Sequence, residues 1–290
     1  MVNSLISILV PTRGRPESVF RLIKSINATA SRKDLVEILF YVDNDDDSFP
    51  PSIDLESNVR VIRGERVWIS LTWNCLFAHS QGEILMYTGD DVVFETKGWD
   101  EQVRTAFTQF PDSLGLVFGD DGGWYAGKLA INGFVHRAWA DLLGYFTYPA
   151  RVSAIDLWIH ECASYINRVI YLEKVMFRHV HYRQGDATAE FDETYKDAYD
   201  KSVRWGIMDS YDSLSRERRI DKIILSRKIG QSIPFEFKYL LAIVVCRFLL
   251  VFKGRTGNQD RILSFDNQFI LKKIFGRIIR RKRNILNSVS

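Results

Sequence analysis

The chain has 290 residues, of which 46% are hydrophobic and 26% are charged, and its net charge is +3. This length allows one large domain or a domain with an appendage, and the composition excludes a disordered or fibrous chain. Its cysteines are odd in number and widely spaced, which argues against a disulfide framework or a zinc site and for a reducing, cytoplasmic compartment.

The small net charge conceals two parts of opposite charge. Residues 1–212 contain 21 Lys and Arg against 31 Asp and Glu, a net charge of −10. Residues 213–290 contain 18 against 5, a net charge of +13. We therefore expect a first domain over 1–212 and a basic, partly apolar helical extension over 213–290, each facing a different partner.

Short β-rich runs alternate with helical periodicity through the first domain. SLISILV predicts a strand, and RPESVFRLIKSI predicts a helix in which Pro16 occupies the first turn. The later elements are the strands VEILFYVD, NVRVI, EILMY and LGLVF, the helix SLTWNCLFAHS and a helix after Trp99. This alternation predicts an α/β fold with a mostly parallel sheet flanked by helices.

Polar residues follow three of the predicted strands: PTRGR, DNDDD and GDD. In open sheets of this kind, ligands bind beyond the carboxyl ends of the strands. Asp90 and Asp91 are adjacent carboxylates behind a buried strand, an arrangement that is usually neutralised by a cation. Mg²⁺ and Mn²⁺ prefer such oxygen ligands, so the sequence predicts a divalent cation here. A solvated turn carrying two acids is the plainer alternative.

The basic extension contains two apolar stretches. IPFEFKYLLAIVVCRFLLVF is interrupted by Glu236, Lys238 and Arg247, which favours a monotopic or amphipathic segment over a membrane span. LKKIFGRIIRRKRNIL sets isoleucines among basic residues, a pattern suited to an anionic membrane surface. The alternative is a set of ordinary helices that pack on the first domain and expose a basic face.

Several of these stretches together resemble a known family. SILVPTRGRPESVFRLIKSI, Asp43 at the end of the second strand and NCLFAHSQGEILMYTGDDVVF are similar to the nucleotide-diphospho-sugar glycosyltransferases of the GT-A fold. The group in question is family-two-like and includes phage-type relatives. The resemblance continues through TKGWDEQV, DLWIHECASYINRVIYLE and HVHYRQGDATAEFDETY, covering about residues 4–200. It implies a metal-dependent enzyme that moves a sugar from a nucleoside-diphosphate sugar to a hydroxyl acceptor.

The resemblance also implies a donor site. Asp90 and Asp91 stand as a reduced DxD motif, with Gly89 where an acid often occurs. Asp91 would bind Mn²⁺ or Mg²⁺, and Asp90 would contact the ribose or a metal-bound water. The other implied donor residues are Pro11, Thr12, Arg13, Arg15, Asp43 and Arg183, with Arg178 as a further diphosphate partner. Asp45, Asp46 and Asp47 are expected to be solvated loop residues.

A histidine late in the domain often supplies a further metal ligand in this family. In an extended strand His179 and His181 project to one face, and His181 is slightly preferred as the ligand.

The acceptor side is implied less directly. Asp156 corresponds to the acid that serves as general base when the sugar configuration inverts. Capping of a helix N-terminus is an equally good explanation for an acid at this position. A second acidic pair, Asp120 and Asp121, and the nearby Trp124 are candidates for the acceptor pocket, where Trp124 would stack on a sugar ring.

Other functions explain fewer of these residues. A sugar nucleotidyltransferase would carry a glycine-rich loop after the first strand, but PTRGRPES has a single glycine. A viral polymerase palm also uses GDD but needs a much longer chain, and a non-catalytic relative has no need of adjacent buried acids. The basic extension favours a glycan or lipid-linked acceptor at the inner face of the cytoplasmic membrane. A phage-type DNA base acceptor is less supported, because few aromatic residues accompany the basic ones.

Overall fold

The computed structural model describes most of the first domain and the beginning of the extension. The described residues are 3–50, 52–53, 57–123, 125–150, 154–180, 196 and 211–231. Within them, no helix combines the length and apolarity needed to cross a membrane.

The first half of the chain alternates strands with helices. Its elements are β1 (Ile6–Thr12), α1 (Pro16–Thr29), a 3₁₀ turn (Lys33–Leu35), β2 (Val36–Asp43), β3 (Val59–Gly64), α2 (Ile69–His79) and β4 (Ile84–Tyr87). β1 pairs in parallel with both β2 and β4, and β2 pairs in parallel with β3. Pro16 lies in the first turn of α1. Proline has no backbone N–H, and an N–H in the first turn would have no partner within the helix.

The second half adds antiparallel strands. Its elements are β5 (Val92–Phe94), α3 (Trp99–Phe107), β6 (Leu116–Asp120), β7 (Gly133–His136), α4 (Arg137–Leu143), α5 (Ile155–Tyr165), β8 (Val169–His179) and α6 (Ser215–Lys228). β7 runs antiparallel to both β4 and β6, β8 is parallel to β6, and β5 pairs antiparallel with β8. Over the described residues the strand order is β3-β2-β1-β4-β7-β6-β8-β5. The predicted α/β fold with a sheet flanked by helices is confirmed, and four of the seven strand pairings among the described residues are parallel.

Apolar clusters cover both faces of the sheet. Along β1, Ile8 and Val10 join the cluster that includes the apolar side of α1, while Leu9 joins the cluster that includes Leu76 of α2. Successive strand residues point to opposite faces, so a strand covered on both sides is apolar at most positions. The mostly apolar run SLISILV is explained by this double burial.

The described start of the basic extension is packed against the first domain. α6 contacts α4 and α5, and Leu225 of α6 is fully buried in the cluster on the α2 side of the sheet. The boundary near residue 212 and the role of the extension stay predictions, because residues 232–290 lie outside the described part of the chain.

Candidate active site

Three parallel strands end at the same edge of the sheet. β1 lies between β2 and β4, and its last residue is Thr12. Asp43 is the last residue of β2, and Asp90 follows β4 by three residues. The topology therefore brings together the polar strand ends that the sequence singled out.

Asp90 is held in the interior by two neighbours from the first strand–helix connection. Its side chain accepts hydrogen bonds from Thr12 Oγ1 at 2.6 Å and from Arg15 Nη1 at 3.3 Å. Burial raises the pKa of Asp90 to about 6, and the adjacent charge of Asp91 acts in the same direction while Arg15 opposes both. Only 3% of Asp90 is exposed, so Arg15 is the cation that makes an acid tolerable at this depth.

Asp43 forms the centre of a second group of charges. Arg13 Nη1 donates to Asp43 at 2.9 Å, and Arg66 Nε lies 3.7 Å from the same carboxylate. Arg13 also binds Asp45 through both terminal nitrogens, at 2.5 and 3.0 Å. Burial raises the pKa of Asp43, although Arg13 opposes the effect. Arg66 was not singled out in the sequence. The signal that points to it is its position just after β3, because β3 lies beside β2.

The expectation of a solvated DNDDD loop is wrong for Asp46. This residue is only 6% exposed. Its side chain accepts from the backbone N–H of Gly14 at 2.9 Å and from Ser48 Oγ at 2.6 Å. Gly14 has a φ of +68°, a left-handed conformation that glycine adopts without strain. Asp46 therefore fastens the β1–α1 connection, and with it the loop that carries Arg13 and Arg15.

Asp91 faces the other side of the site, where it meets β8. His179 Nε2 lies 3.2 Å from Asp91 Oδ2, and the backbone N–H of Val180 donates to the Asp91 carbonyl at 2.7 Å. Burial lowers the pKa of His179, but the hydrogen bond to Asp91 and the charges of Asp91, Asp121 and Asp156 outweigh it, so the net shift is upward. The carboxylate and imidazole predicted as metal ligands are thus brought into contact.

The second acidic pair divides into two different environments. Asp120 is the last residue of β6, and its carboxylate accepts from Gly122 N at 2.7 Å and from Tyr171 Oη at 2.9 Å. Asp121 is only 4% exposed, and neither oxygen of its carboxylate has a hydrogen-bond partner among the described residues. Its carbonyl accepts from the backbone N–H of His179 at 2.9 Å, which places Asp121 beside the Asp91–His179 pair.

Asp156 lies in the first turn of α5 and is partly exposed. The residue at the N-cap is Ala154, which cannot cap through its side chain. Burial raises the pKa of Asp156 to about 6, while backbone N–H groups of the first turn and the charge of His179 oppose the shift. Asp156 thus combines an N-terminal helix position with a pKa shift that is typical of functional carboxylates. His160, one turn further along, accepts from the backbone N–H of Ala130 at 3.1 Å.

Some predicted residues cannot be located. Trp124, His181 and Arg183 lie outside the described residues. Arg178, considered for the diphosphate, pairs with Glu95 at 2.6 Å.

The residues at the end of β4 have the chemistry that a divalent cation requires. Among the described residues, no group of three or more side chains forms a ready-made metal cage. Asp91 and His179 nevertheless offer carboxylate and imidazole donors, and the carboxylate of Asp121 beside them lacks a hydrogen-bond partner in the described part of the chain. Carboxylate oxygens suit Mg²⁺ and Mn²⁺, and imidazole is a common ligand of transition metals. These donors fit the cation that the sequence predicts.

The fold and the strand-end acids together define a glycosyltransferase of the GT-A class. The family model described as glycosyl transferase family 2 matches residues 7–182. The chain belongs to this family, as its sequence motifs predicted. No curated protein matches the chain significantly.

Solved structures with a similar fold include two enzymes in complex with sugar nucleotides. One is TarS 1-349 of S. aureus with UDP-GlcNAc, at 15% identity and a TM-score of 0.46, covering 60% of this chain and 57% of TarS 1-349. Another is the mannosyltransferase PcManGT of Pyrobaculum calidifontis with GDP-Man and Mn²⁺, at 12% identity and a TM-score of 0.49. This match covers 98% of this chain and 88% of PcManGT. The chain therefore spans less than two thirds of the first of these proteins.

Proposed function

We propose that this glycosyltransferase uses a divalent cation, Mn²⁺ or Mg²⁺, and moves a sugar from a nucleoside-diphosphate sugar to a hydroxyl acceptor. The observation that carries the proposal is the asymmetry of the acidic doublet. Asp90 is buried and neutralised by Arg15, whereas Asp91 is partly exposed and faces His179. The buried acid is bound to Thr12 and Arg15, and we assign the more exposed one to a ligand.

The donor nucleotide is assigned to the edge formed by β1 and β2. Asp43 accepts hydrogen bonds there and would do the same for N–H groups of a nucleobase, and the charge of Arg13 favours the ionised form of Asp43. Pro11 and Thr12 would line the same pocket. Arg15 is assigned to the diphosphate, as is Arg183, which lies outside the described residues. A guanidinium group can donate two parallel hydrogen bonds to the oxygens of one phosphate.

Asp91 and His179 are the residues that would hold the cation, with His181 as the alternative histidine. A bound divalent cation stabilises negative charge on the departing diphosphate as a Lewis acid. Asp90 supports Asp91 through the backbone that they share. Hydrogen bonds from Thr12 and Arg15 hold Asp90 itself in position.

Asp156 is assigned the role of general base. A base accepts the proton of the acceptor hydroxyl as its oxygen bonds to the sugar carbon, and a pKa near the operating pH suits this transfer. The pKa of about 6 leaves Asp156 ionised at neutral pH while keeping it more basic than an exposed aspartate. Asp120, Asp121 and Trp124 are assigned to the acceptor pocket, where the carboxylate of Asp121 would accept a hydrogen bond from an acceptor hydroxyl.

Release of nucleoside diphosphate from a donor panel tests this proposal. We expect the full chain to hydrolyse one UDP-sugar or GDP-sugar of the panel with Mn²⁺ present, since a glycosyltransferase transfers slowly to water. EDTA should abolish the release, and added Mn²⁺ or Mg²⁺ should restore it. Release that is equally fast in EDTA for every donor would contradict the metal requirement.

We further propose that the acceptor is a glycan or a lipid-linked glycan precursor at the cytoplasmic face of a membrane. The support is the net charge of +13 in residues 213–290. Each basic residue near an anionic surface contributes about 1 kcal/mol of attraction. We expect the chain to sediment with phosphatidylserine vesicles but not with phosphatidylcholine vesicles. Retention on DNA without vesicle binding would instead favour a DNA base acceptor.

A further inference from the structure

Helix α5 presents two different faces to the rest of the molecule. Asp156 and His160 are one turn apart, and His160 packs edge-on against Phe118 of β6 with ring centroids 5.6 Å apart. Trp158 and Cys162 lie on roughly the opposite face, since two residues along an α-helix differ by about 200°. One face therefore carries the proposed base, and the other is turned toward α6.

A buried carboxylate of α6 binds that second face. Asp221 is only 1% exposed. One of its oxygens accepts from Trp158 Nε1 at 2.9 Å, and the other accepts from the hydroxyl of Tyr145. Tyr148, from the same loop as Tyr145, stacks on the Trp158 ring at 4.7 Å with the planes inclined by 13°. The carboxylate thus ties α6 to α5 and to the loop that follows α4.

Charged residues of α6 add to this attachment. The guanidinium of Arg218 lies 3.6 Å from the ring centroid of Tyr211 and 5.4 Å from that of Trp158. Arg218 Nε and Lys222 Nζ both contact Glu161 Oε2 of α5, at 3.3 and 3.1 Å. Arg218 is buried, so its charge is costly unless it is paired, and these contacts favour one relative position of the two helices.

We propose that Asp221 is a positioning residue for the reaction, which acts through Trp158 to hold the carboxylate of Asp156 in its working position. The inference rests on the proposed role of Asp156 as base. Trp158 is two residues from Asp156 on the same short helix, so a shift or rotation of α5 at Trp158 moves Asp156 as well. A displacement of about 1 Å at a reacting group can lower a rate by up to about 100-fold. The first helix of the basic extension is thereby part of the catalytic apparatus.

A double-mutant cycle on the full chain tests the proposal, with release of nucleoside diphosphate from the best donor of the panel as readout. Asp221→Leu removes both hydrogen-bond acceptors, and we expect it to lower kcat by about 10- to 100-fold. The affinity for UDP or GDP with Mn²⁺, measured by calorimetry, should stay unchanged. Asp221→Asn keeps an oxygen that can accept the hydrogen bond from Trp158, so this variant should retain most of the wild-type kcat. Asp212→Asn, at an exposed aspartate just before α6, serves as the matched control and should behave as wild type.

The cycle separates a positioning role from a merely structural one. If Asp221 acts through Asp156, Asp221→Leu should lower kcat little further in an Asp156→Asn background, so the two effects should not add. Additive effects, or a rate unchanged in Asp221→Leu, would overturn the proposal. If Asp221→Leu does not fold, as judged by circular dichroism, the Asp221→Asn cycle takes its place, with a smaller but still non-additive loss expected. A normal rate in Asp156→Asn alone would instead count against the proposed base.

Discussion

Replacing Asp91 with alanine is expected to lower turnover by about 1,000-fold or more, because Lewis-acid stabilisation of a leaving diphosphate is worth several kcal/mol. The protein should remain folded. The side chain of Asp91 is partly exposed, and the hydrogen bond from Val180 uses the Asp91 backbone carbonyl, which the substitution retains. Asp90 should also lose a repulsive neighbour, since the charge of Asp91 helps to raise its pKa.

Two measurements on this variant separate loss of the metal from loss of the fold. Calorimetry with Mn²⁺ and UDP or GDP should detect no Mn²⁺-dependent gain in nucleotide affinity for Asp91→Ala. The thermal unfolding midpoint should stay within a few degrees of wild type. Asp34→Ala, at an exposed aspartate that pairs with nearby Arg32, is the control and should keep full activity. Full Mn²⁺-stimulated release by Asp91→Ala would show that the cation is held elsewhere.

The sequence predicted those parts of the site that depend on strand ends. β1, β2 and β4 are mostly apolar runs; β1 ends at Thr12, β2 ends at Asp43, and Asp90 follows the end of β4 by three residues. Because parallel strands of one sheet end at the same edge, recognising the strands was enough to bring these residues together. The family match then confirmed the class of enzyme.

Other features depend on contacts that local patterns do not encode. β7 has only four residues, too few for a periodic signal, and its insertion between β4 and β6 was not predicted. Asp46 looked like one acid in a polar loop, and the structure shows it buried and hydrogen-bonded to the backbone N–H of Gly14 in the left-handed turn after β1. Asp221 lies in a highly charged stretch, where only the packing of α6 on α5 distinguishes it from its exposed neighbours. Such long-range contacts follow from tertiary structure rather than from spacing.

Replacing Asp156 with asparagine is expected to lower turnover by about 100- to 10,000-fold, the usual contribution of a general base. In the wild type, Asp156 must be ionised to accept a proton, and its pKa is about 6. The rate of donor turnover should therefore rise with pH and level off above about pH 7. Asp90 also has a pKa raised to about 6, so the wild-type profile alone does not identify the group. Loss of this inflection from the residual activity of Asp156→Asn would assign it to Asp156.

Stability provides the control for this variant, because the pKa shift has a definite sign. The folded pKa of Asp156 lies above the ordinary value of 3.8, so the folded state binds more protons than the unfolded state between about pH 4 and pH 6. Protonated Asp156 therefore contributes stability at low pH that is lost as the pH rises through 6. Asparagine cannot ionise, so Asp156→Asn should unfold at the same temperature as wild type or higher at pH 7.5. An active variant with an unchanged pH profile would show that another group accepts the proton, and the next candidate is then Asp121, a buried carboxylate without a hydrogen-bond partner among the described residues.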